Sequence, residues 1–560
     1  MLNKWLKQVL TPRTQAAGQK AGTPSQSLPV NKNLLVSMEL LRSKLGRSPD
    51  FVMRGFTSSK GDSPYPVLAV CYVDGLVDHM QLTELIEAAA RTAENSLQNG
   101  REPSGGEPDE GELDEGKPDG GESVAEQLAR SLPSADLQKK ATLDDVIASV
   151  LSGSVVFLAD NTSYALSVSI PGGLRRSVEE PTSQSVIRGP KEGFTEELST
   201  NMALIRRKLK TPDLRMEVRQ IGTYTQTRVA VAYIQGIAQD SVVEEVRRRI
   251  DSINTDSILE SNYIEEMIQD APLSPFPTIM NTERPDAVAA SLLDGQVAVL
   301  IDGTPFALLM PVTFFKFFQS SEDYYQRYDL ATFLRVLRIM TFLVALLLPS
   351  LYIAITTFQQ EILPMTMLIT LAAQREGTPL PALLEAFIME LTFEVIREAG
   401  VRMPRIIGPA ISIVGALVIG QAAVQAGLVS GTMVIVVSFT AIANFVIPSI
   451  DMAAAVRLMR FTLMILAGTL GLFGILAGMI PIIVHLVSLR SFGVDYYAPY
   501  APFHKSNMKD MMIRVPIWAM KTRPDQIAGK NRTRQAPYQY PPVEETLLGS
   551  SSQGGQEEPS

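Results

Sequence analysis

The sequence is poor in the residues that most often carry chemistry. It has one cysteine, Cys71, and three histidines, His79, His485 and His504. A lone thiol excludes a disulfide-stapled secreted scaffold. Histidines scattered away from that thiol leave no zinc ligand set, so neither a metal nor a cofactor is expected. Phosphate loops, dinucleotide fingerprints, nucleophile elbows and His-Glu-x-x-His helices are all missing, and the chain reads as non-enzymatic. A large excess of one charge is missing as well. A formal net charge of −9 over 560 residues argues against a nucleic-acid partner. Met1–Leu10 (MLNKWLKQVL) has neither the apolar core nor the cleavage site of a signal peptide. Residues 1–30 are therefore expected to be a tail, and the long region after them to be cytoplasmic.

What is present is uneven. Residues 31–325 read as water-soluble, while Ile339–Leu489 is mostly uninterrupted apolar sequence. The soluble part shows a faint duplication. Pro66–Asp78 (PVLAVCYVDGLVD) and Arg228–Asp240 (RVAVAYIQGIAQD) share an apolar run ending in Tyr-x-x-Gly, and a helical pattern follows each. Further on, LSGSVVFLADNTSYAL from Leu151 and LDGQVAVLIDGTPFAL from Leu293 align without gaps, matching Asp160 to Asp302 and Gly153 to Gly295. Asp-Asn and Asp-Gly are hairpin turn dipeptides. The expected fold is an α/β soluble region of two similar subdomains, about 31–175 and 200–325, followed by an α-helical multi-span membrane domain over 326–490. Residues 99–122, rich in acids, glycine and proline, are expected to be a disordered insert. Residues 491–560 are expected to be a cytoplasmic, largely disordered tail.

Hydropathy predicts spans at about 339–358, 406–427, 431–450 and 461–486. Two further segments are ambiguous. Residues 362–373 are too short to cross straight, and 379–397 carry Glu385, Glu390 and Glu394. Arg327, Arg335 and Arg338 before the first span and the basic C-terminal region both ask to be cytoplasmic, which requires four or six crossings. Arg457 and Arg460 conflict with that count.

Carboxylates at membrane depth usually face water or a partner. Glu390 and Glu394, four apart, share a helical face, with Glu385 about 140° from Glu390. Glu394 and Arg397 are spaced to pair. An interfacial helix with its glutamates among the headgroups and a pore lining are the two readings left open. In the second, Glu361, Thr366, Thr370, Glu385, Glu390 and Glu394 line the path. Small residues at Gly415, Gly420 and Gly468–Gly478 allow close helix packing within one chain or between copies.

A set of long motifs carries a family resemblance. RSVEEPTSQSVIRGPKEGFTEEL (Arg176–Leu198), NMALIRRKLK (Asn201–Lys210), SPFPTIMNTERPD (Ser274–Asp286), LIDGTPFAL (Leu300–Leu308), REAGVRMPR (Arg397–Arg405), IVGALVIGQAAVQAGLVS (Ile413–Ser430) and HLVSLRSFGV (His485–Val494) resemble the A subunit of GerA-type spore germination receptors. The likeness runs from about residue 30 to about 505. It implies a multi-pass protein of the spore inner membrane with its N-terminal region cytoplasmic. It also implies a multi-span, nutrient-binding B subunit and a lipoprotein C subunit as partners, and homo-oligomerisation into a nutrient-gated ion channel. Arg188, Glu283, Arg284, Asp302, Arg397 and Glu398 fall within these motifs and are expected to be structural, Arg188 and Arg284 by pairing with nearby acids. A transporter component and a membrane-anchored binding module without a pore are the rival readings.

Overall fold

The computed structural model describes residues 28–536, apart from 47, 58–64, 99–122, 134–135, 173–179, 182–183, 185 and 404–417. The proposed insert 99–122 and most of the expected span 406–427 thus lie outside the described residues.

The first subdomain contains α1 (Leu34–Leu45), β1 (Phe51–Phe56), β2 (Leu68–Val73), α2 (His79–Gln98), α3 (Val124–Ser131), β3 (Leu137–Lys140), α4 (Leu143–Leu151), β4 (Ser154–Ala159) and β5 (Ala165–Ser169). The second contains α5 (Leu198–Lys208), β6 (Leu214–Ile221), β7 (Thr227–Ile234), α6 (Asp240–Asp251), α7 (Ser261–Ile268), β8 (Met280–Thr282), α8 (Pro285–Asp294), β9 (Val297–Ile301) and β10 (Ala307–Met310). The sheets have the same order, β1-β2-β4-β5-β3 and β6-β7-β9-β10-β8, with every pairing antiparallel. Helices cover both faces, so β4 and β9 are buried along their whole length and read as continuous apolar runs rather than alternating ones.

The duplication reaches single atoms. The Asp160 carboxylate accepts the Leu34 N–H that opens α1 (3.1 Å), and Asp302 accepts the Leu198 N–H that opens α5 (3.0 Å). Each aspartate leads a hairpin turn with a left-handed residue next, Asn161 (φ 59°) and Gly303 (φ 90°). Asparagine and glycine tolerate that region best, which explains the dipeptides. The subdomains are joined by a buried ion pair from Arg206 on α5 to Asp50 just before β1, at 2.7 Å, with Ser48 also bonded to Arg206 (3.0 Å).

The C-terminal half is helical: α9 (Tyr328–Thr357), α10 (Met365–Glu376), α11 (Ala382–Arg402), a helical stretch over 418–425, α12 (Gly431–Phe445) and α13 (Ile450–Ser488). Among the described residues two of these, α9 and α13, are long and apolar enough to cross a membrane. The expected boundaries shift. The span placed at 431–450 ends at Phe445, because Ser449 caps the next helix by accepting the Met452 N–H. That next helix begins eleven residues ahead of the expected 461 and breaks at Gly471.

The region after 490 corrects the expectation of a largely disordered tail. Residues 490–536 are ordered and docked. Strands β11 (Arg490–Ser491) and β12 (Val494–Asp495) form a small hairpin. Tyr496 is fully buried and donates to the Pro277 carbonyl (2.8 Å). Ala528 bridges to Ala238, and Arg534 pairs with Asp294 (2.9 Å). The order comes from aromatic and methionine side chains (Phe492, Tyr496, Met511, Met520) that bury without any helical or strand period.

Candidate functional site

Helix α11 presents two polar faces to its neighbours. On one, Glu385 is fully buried, and its Oε1 accepts the Ser430 N–H (2.5 Å) and hydroxyl (2.6 Å). Ser430 is itself the cap of α12, bonding the Met433 N–H (3.2 Å). A carboxylate at a helix N-terminus is favoured by the backbone dipoles that converge there. Glu385 therefore ties α11 to the start of α12.

On the other face, Glu390 and Glu394 meet two arginines of α13. Arg460 bonds Glu390 at 2.8 Å, and both side chains are about 1% exposed. Arg457 and Arg397 bond Glu394 at 3.1 and 2.8 Å. Two carboxylates face three guanidinium groups. Among the described residues, several atoms of this cluster, including Glu390 Oε1 and Arg460 Nε and Nη1, find no hydrogen-bond partner. Buried charges that are paired but not fully hydrogen-bonded are costly to hold. Such a cluster has spare donors and acceptors that a second helix arrangement could satisfy. Arg457 and Arg460 are thereby paired with carboxylates inside the helical half.

A cleft of about 600 Å³ opens beside the cluster, between the helices and the second subdomain. Arg397, Glu398, Arg457 and Asn444 line its helical side; Gln184 and Arg284 line the other. Arg284 is buried and bonds the Gln184 and Pro190 carbonyls and the Asp286 carboxylate (2.8 Å). The nearby acid that pairs with Arg284 is Asp286, while Glu192 pairs with Lys208 (3.2 Å). Glu283 is buried, and its carbonyl accepts the Phe194 N–H. Arg188 is exposed. Asp302 also pairs with Arg228 (3.1 Å), and Glu398 with Arg402 (2.8 Å).

The remaining candidates stand apart from the cluster. Glu361 is exposed in the short turn before α10, and Thr366 and Thr370 are exposed on α10, where the Thr370 hydroxyl bonds the Thr366 carbonyl (2.9 Å). The six residues expected to line one path are thus divided: three are exposed on or near α10, two are buried in helix contacts, and Glu394 lies partly buried in the ion cluster. Sequence reasoning missed Arg457 and Arg460 as the partners of the glutamates. Their only sequence signal was charge inside apolar surroundings. Cys71 is a core residue of β2, its thiol pushed up to about 12 by burial. Among the described residues no group of three His, Cys, Asp or Glu side chains is placed to hold a metal.

A duplicated α/β region fused to a helical half with apolar helices and a buried charge cluster defines the class of this protein. The sequence profile of the Bacillus/Clostridium GerA spore germination protein matches residues 39–526, and the chain belongs to that family. It is 43% identical to "Spore germination protein KA" of Bacillus subtilis (strain 168), over 91% of this chain and 90% of that one. It is 41% identical to "Uncharacterized membrane protein YfkQ" of the same organism over 94% of this chain and 97% of that one. It is also 41% identical to "Spore germination protein GerLA" of Bacillus cereus over 72% of this chain and 82% of that one. Among solved structures it matches the N-terminal domain of the A subunit of the Bacillus megaterium spore germinant receptor GerK3. The identity there is 33%, over 52% of this chain and 98% of that one, with a TM-score of 0.38.

Proposed function

We propose that this chain is the A subunit of a nutrient-sensing germination receptor in the spore inner membrane. Its α/β half lies in the cytoplasm and its helical half crosses the membrane several times. It assembles with a multi-span B subunit that binds the nutrient, with a lipoprotein C subunit and with copies of itself. The assembly is a gated ion channel rather than an enzyme. The observation that carries the reading is the family match across 39–526, which takes in both halves of the chain. The paired glutamates support a division of labour. Glu385, Glu390 and Glu394 hold α11 against α12 and α13, and the conducting path follows the exposed face of α10, with Thr366, Thr370 and Glu361. Nutrient binding on a partner shifts the helices between two arrangements that satisfy the charge cluster differently.

The test has a genetic and a physical arm. Deleting the gene in its spore-forming host should abolish germination in response to one nutrient while leaving other germinants effective. The purified chain, with its partners in liposomes, should pass monovalent ions. Modifying Thr370→Cys with a charged thiol reagent should change that flux, since the native Cys71 is buried and unreactive. A deletion strain that responds to every germinant overturns the receptor reading. Liposomes that stay tight under every nutrient leave an anchored binding module. Solute uptake without ion flux makes the chain a transporter component.

A further inference from the structure

We infer that the seam between the second subdomain and the docked C-terminal segment is a binding site for a small polyvalent oxyanion of the phosphate type. A cavity of about 90 Å³ lies in that seam. Its charged lining is Lys316, Lys509, Arg523 and Arg534, against Asp294 and Asp510. The two carboxylates already have partners. Asp294 pairs with Arg534 at 2.9 Å. Asp510 accepts from Arg335 (2.8 Å) and from the Tyr324 hydroxyl (2.8 Å). Among the described residues, the Lys509 ammonium donates to a hydroxyl, that of Thr522 (2.6 Å). Arg523, 8% exposed, donates to the carbonyls of Leu293, Asn531 and Thr533 and to the Asn531 side chain, all of them neutral. Among the described residues none of Lys316, Lys509 and Arg523 makes a salt bridge, although the charges of Asp525 and Asp510 act on Lys509 and that of Asp294 acts on Lys316 and Arg523; four cations thus face two carboxylates in the lining of one small cavity.

Cations gathered in a partly desolvated space repel one another unless an anion joins them. The titration of two of them agrees with this. Burial foremost, against the opposing pull of Asp525 and Asp510 and with Arg534 and Lys521 adding like charge, holds Lys509 below the ordinary lysine range. Burial and then Arg534 lower Arg523 in the same way. The volume suits a tetrahedral oxyanion and excludes a nucleotide. Lys and Arg side chains together offer the multiple donors that such an anion accepts. The geometry also gives occupancy a consequence. Lys316 belongs to the second subdomain, while Lys509, Arg523 and Arg534 belong to the C-terminal segment. A bound dianion clamps one to the other and stabilises the folded chain by ligand linkage.

The experiment is thermal unfolding of the full chain in detergent, in sodium phosphate against sodium chloride of equal ionic strength. The expected result is a saturable rise of the midpoint in phosphate alone. Lys316→Met should abolish the phosphate response, whereas Lys316→Arg should keep it. Lys509→Met is the second variant, and equilibrium dialysis with labelled phosphate should give one site per native chain and none in either Met variant. No phosphate-specific rise in the native chain, or an undiminished rise and dialysis count in both Met variants, overturns the site.

Discussion

Glu265 shows how a single side chain can carry pH dependence in this protein. It sits on α7, with Glu260 and Glu266 close by and Asp451 at the start of α13. Burial foremost, then the negative charge of Asp451, Glu260 and Glu266, pushes its carboxyl from 4.5 up to about 8. Between those values the folded chain keeps a proton that the unfolded chain releases. The contribution to stability is full below about pH 4.5 and is lost as the pH rises through about 8. Glu265→Gln cannot ionise and keeps the shape. The variant should match the native chain in thermal stability near the acid end of that window and exceed it increasingly toward the alkaline end. A difference that is constant with pH, or largest in acid, refutes the assignment. Not every charge was as hard to place from sequence. The Glu394–Arg397 pairing follows from their spacing on one helix, as does the separation of Glu385 from Glu390. The partnership of Glu390 and Glu394 with Arg457 and Arg460 does not follow, because helical periodicity says which residues share a face and not which helix that face meets.

Elements with a strong local code were legible. The hairpins at Asp160-Asn161 and Asp302-Gly303 and the runs that became β2, β4, β7 and β9 were read from turn dipeptides and apolar continuity. The outer strands were not: β3 (LQKK) and β8 (MNT) are short, and their residues carry no strand signal. The docked segment after 490 was missed for a related reason, since its order is tertiary and its irregular backbone leaves no period to detect. A break inside a helix is also poorly signalled when small residues are common, and α13 has such a break. Gly471 adopts φ 63° and ψ −143°, a region almost confined to glycine. A Cβ there would stand 2.7 Å from Gln359 Oε1 and 2.9 Å from Phe358 Cβ. The same Gln359 oxygen accepts the Leu472 N–H (3.2 Å) that the break sets free. Gly471→Ala should therefore destabilise the chain by about 1–3 kcal/mol through backbone strain, and by more if Gln359 is displaced. Gly420→Ala, whose Cβ meets only an ordinary contact at 3.7 Å from Val434, is the control and should stay within about 0.5 kcal/mol. Equal unfolding midpoints for the two variants in detergent would remove the break from the account.

At the scale of the molecule, the two halves meet at a joint that neither half encodes alone. Four phenylalanines of the segment after β10 (Phe314, Phe315, Phe317 and Phe318) pack with Phe342 of α9 and with Tyr496 of the C-terminal segment. Beside them lies an ion network. Asp323, 1% exposed, accepts from Arg335 Nε (2.8 Å) and Arg338 Nη1 (2.7 Å), and Arg335 reaches Asp510 at 2.8 Å. Arg335 and Arg338 were read in the sequence as sidedness signals. In the structure they anchor α9 to the α/β half and the C-terminal segment through Asp323 and Asp510. Removing one partner of a buried pair costs about 3–5 kcal/mol, because the other charge is left uncompensated. Asp323→Ala should lower the unfolding midpoint and, more tellingly, uncouple the halves. Trp518 reports on the C-terminal segment and far-ultraviolet circular dichroism on the helices and sheets together, once Trp5, the only other tryptophan, is replaced by phenylalanine. The two signals should melt together in the native chain, as cooperative units do, and separately in the variant, with Trp518 changing first. If they remain coincident at an unchanged midpoint, the aromatic cluster alone holds the joint and the ion network is dispensable.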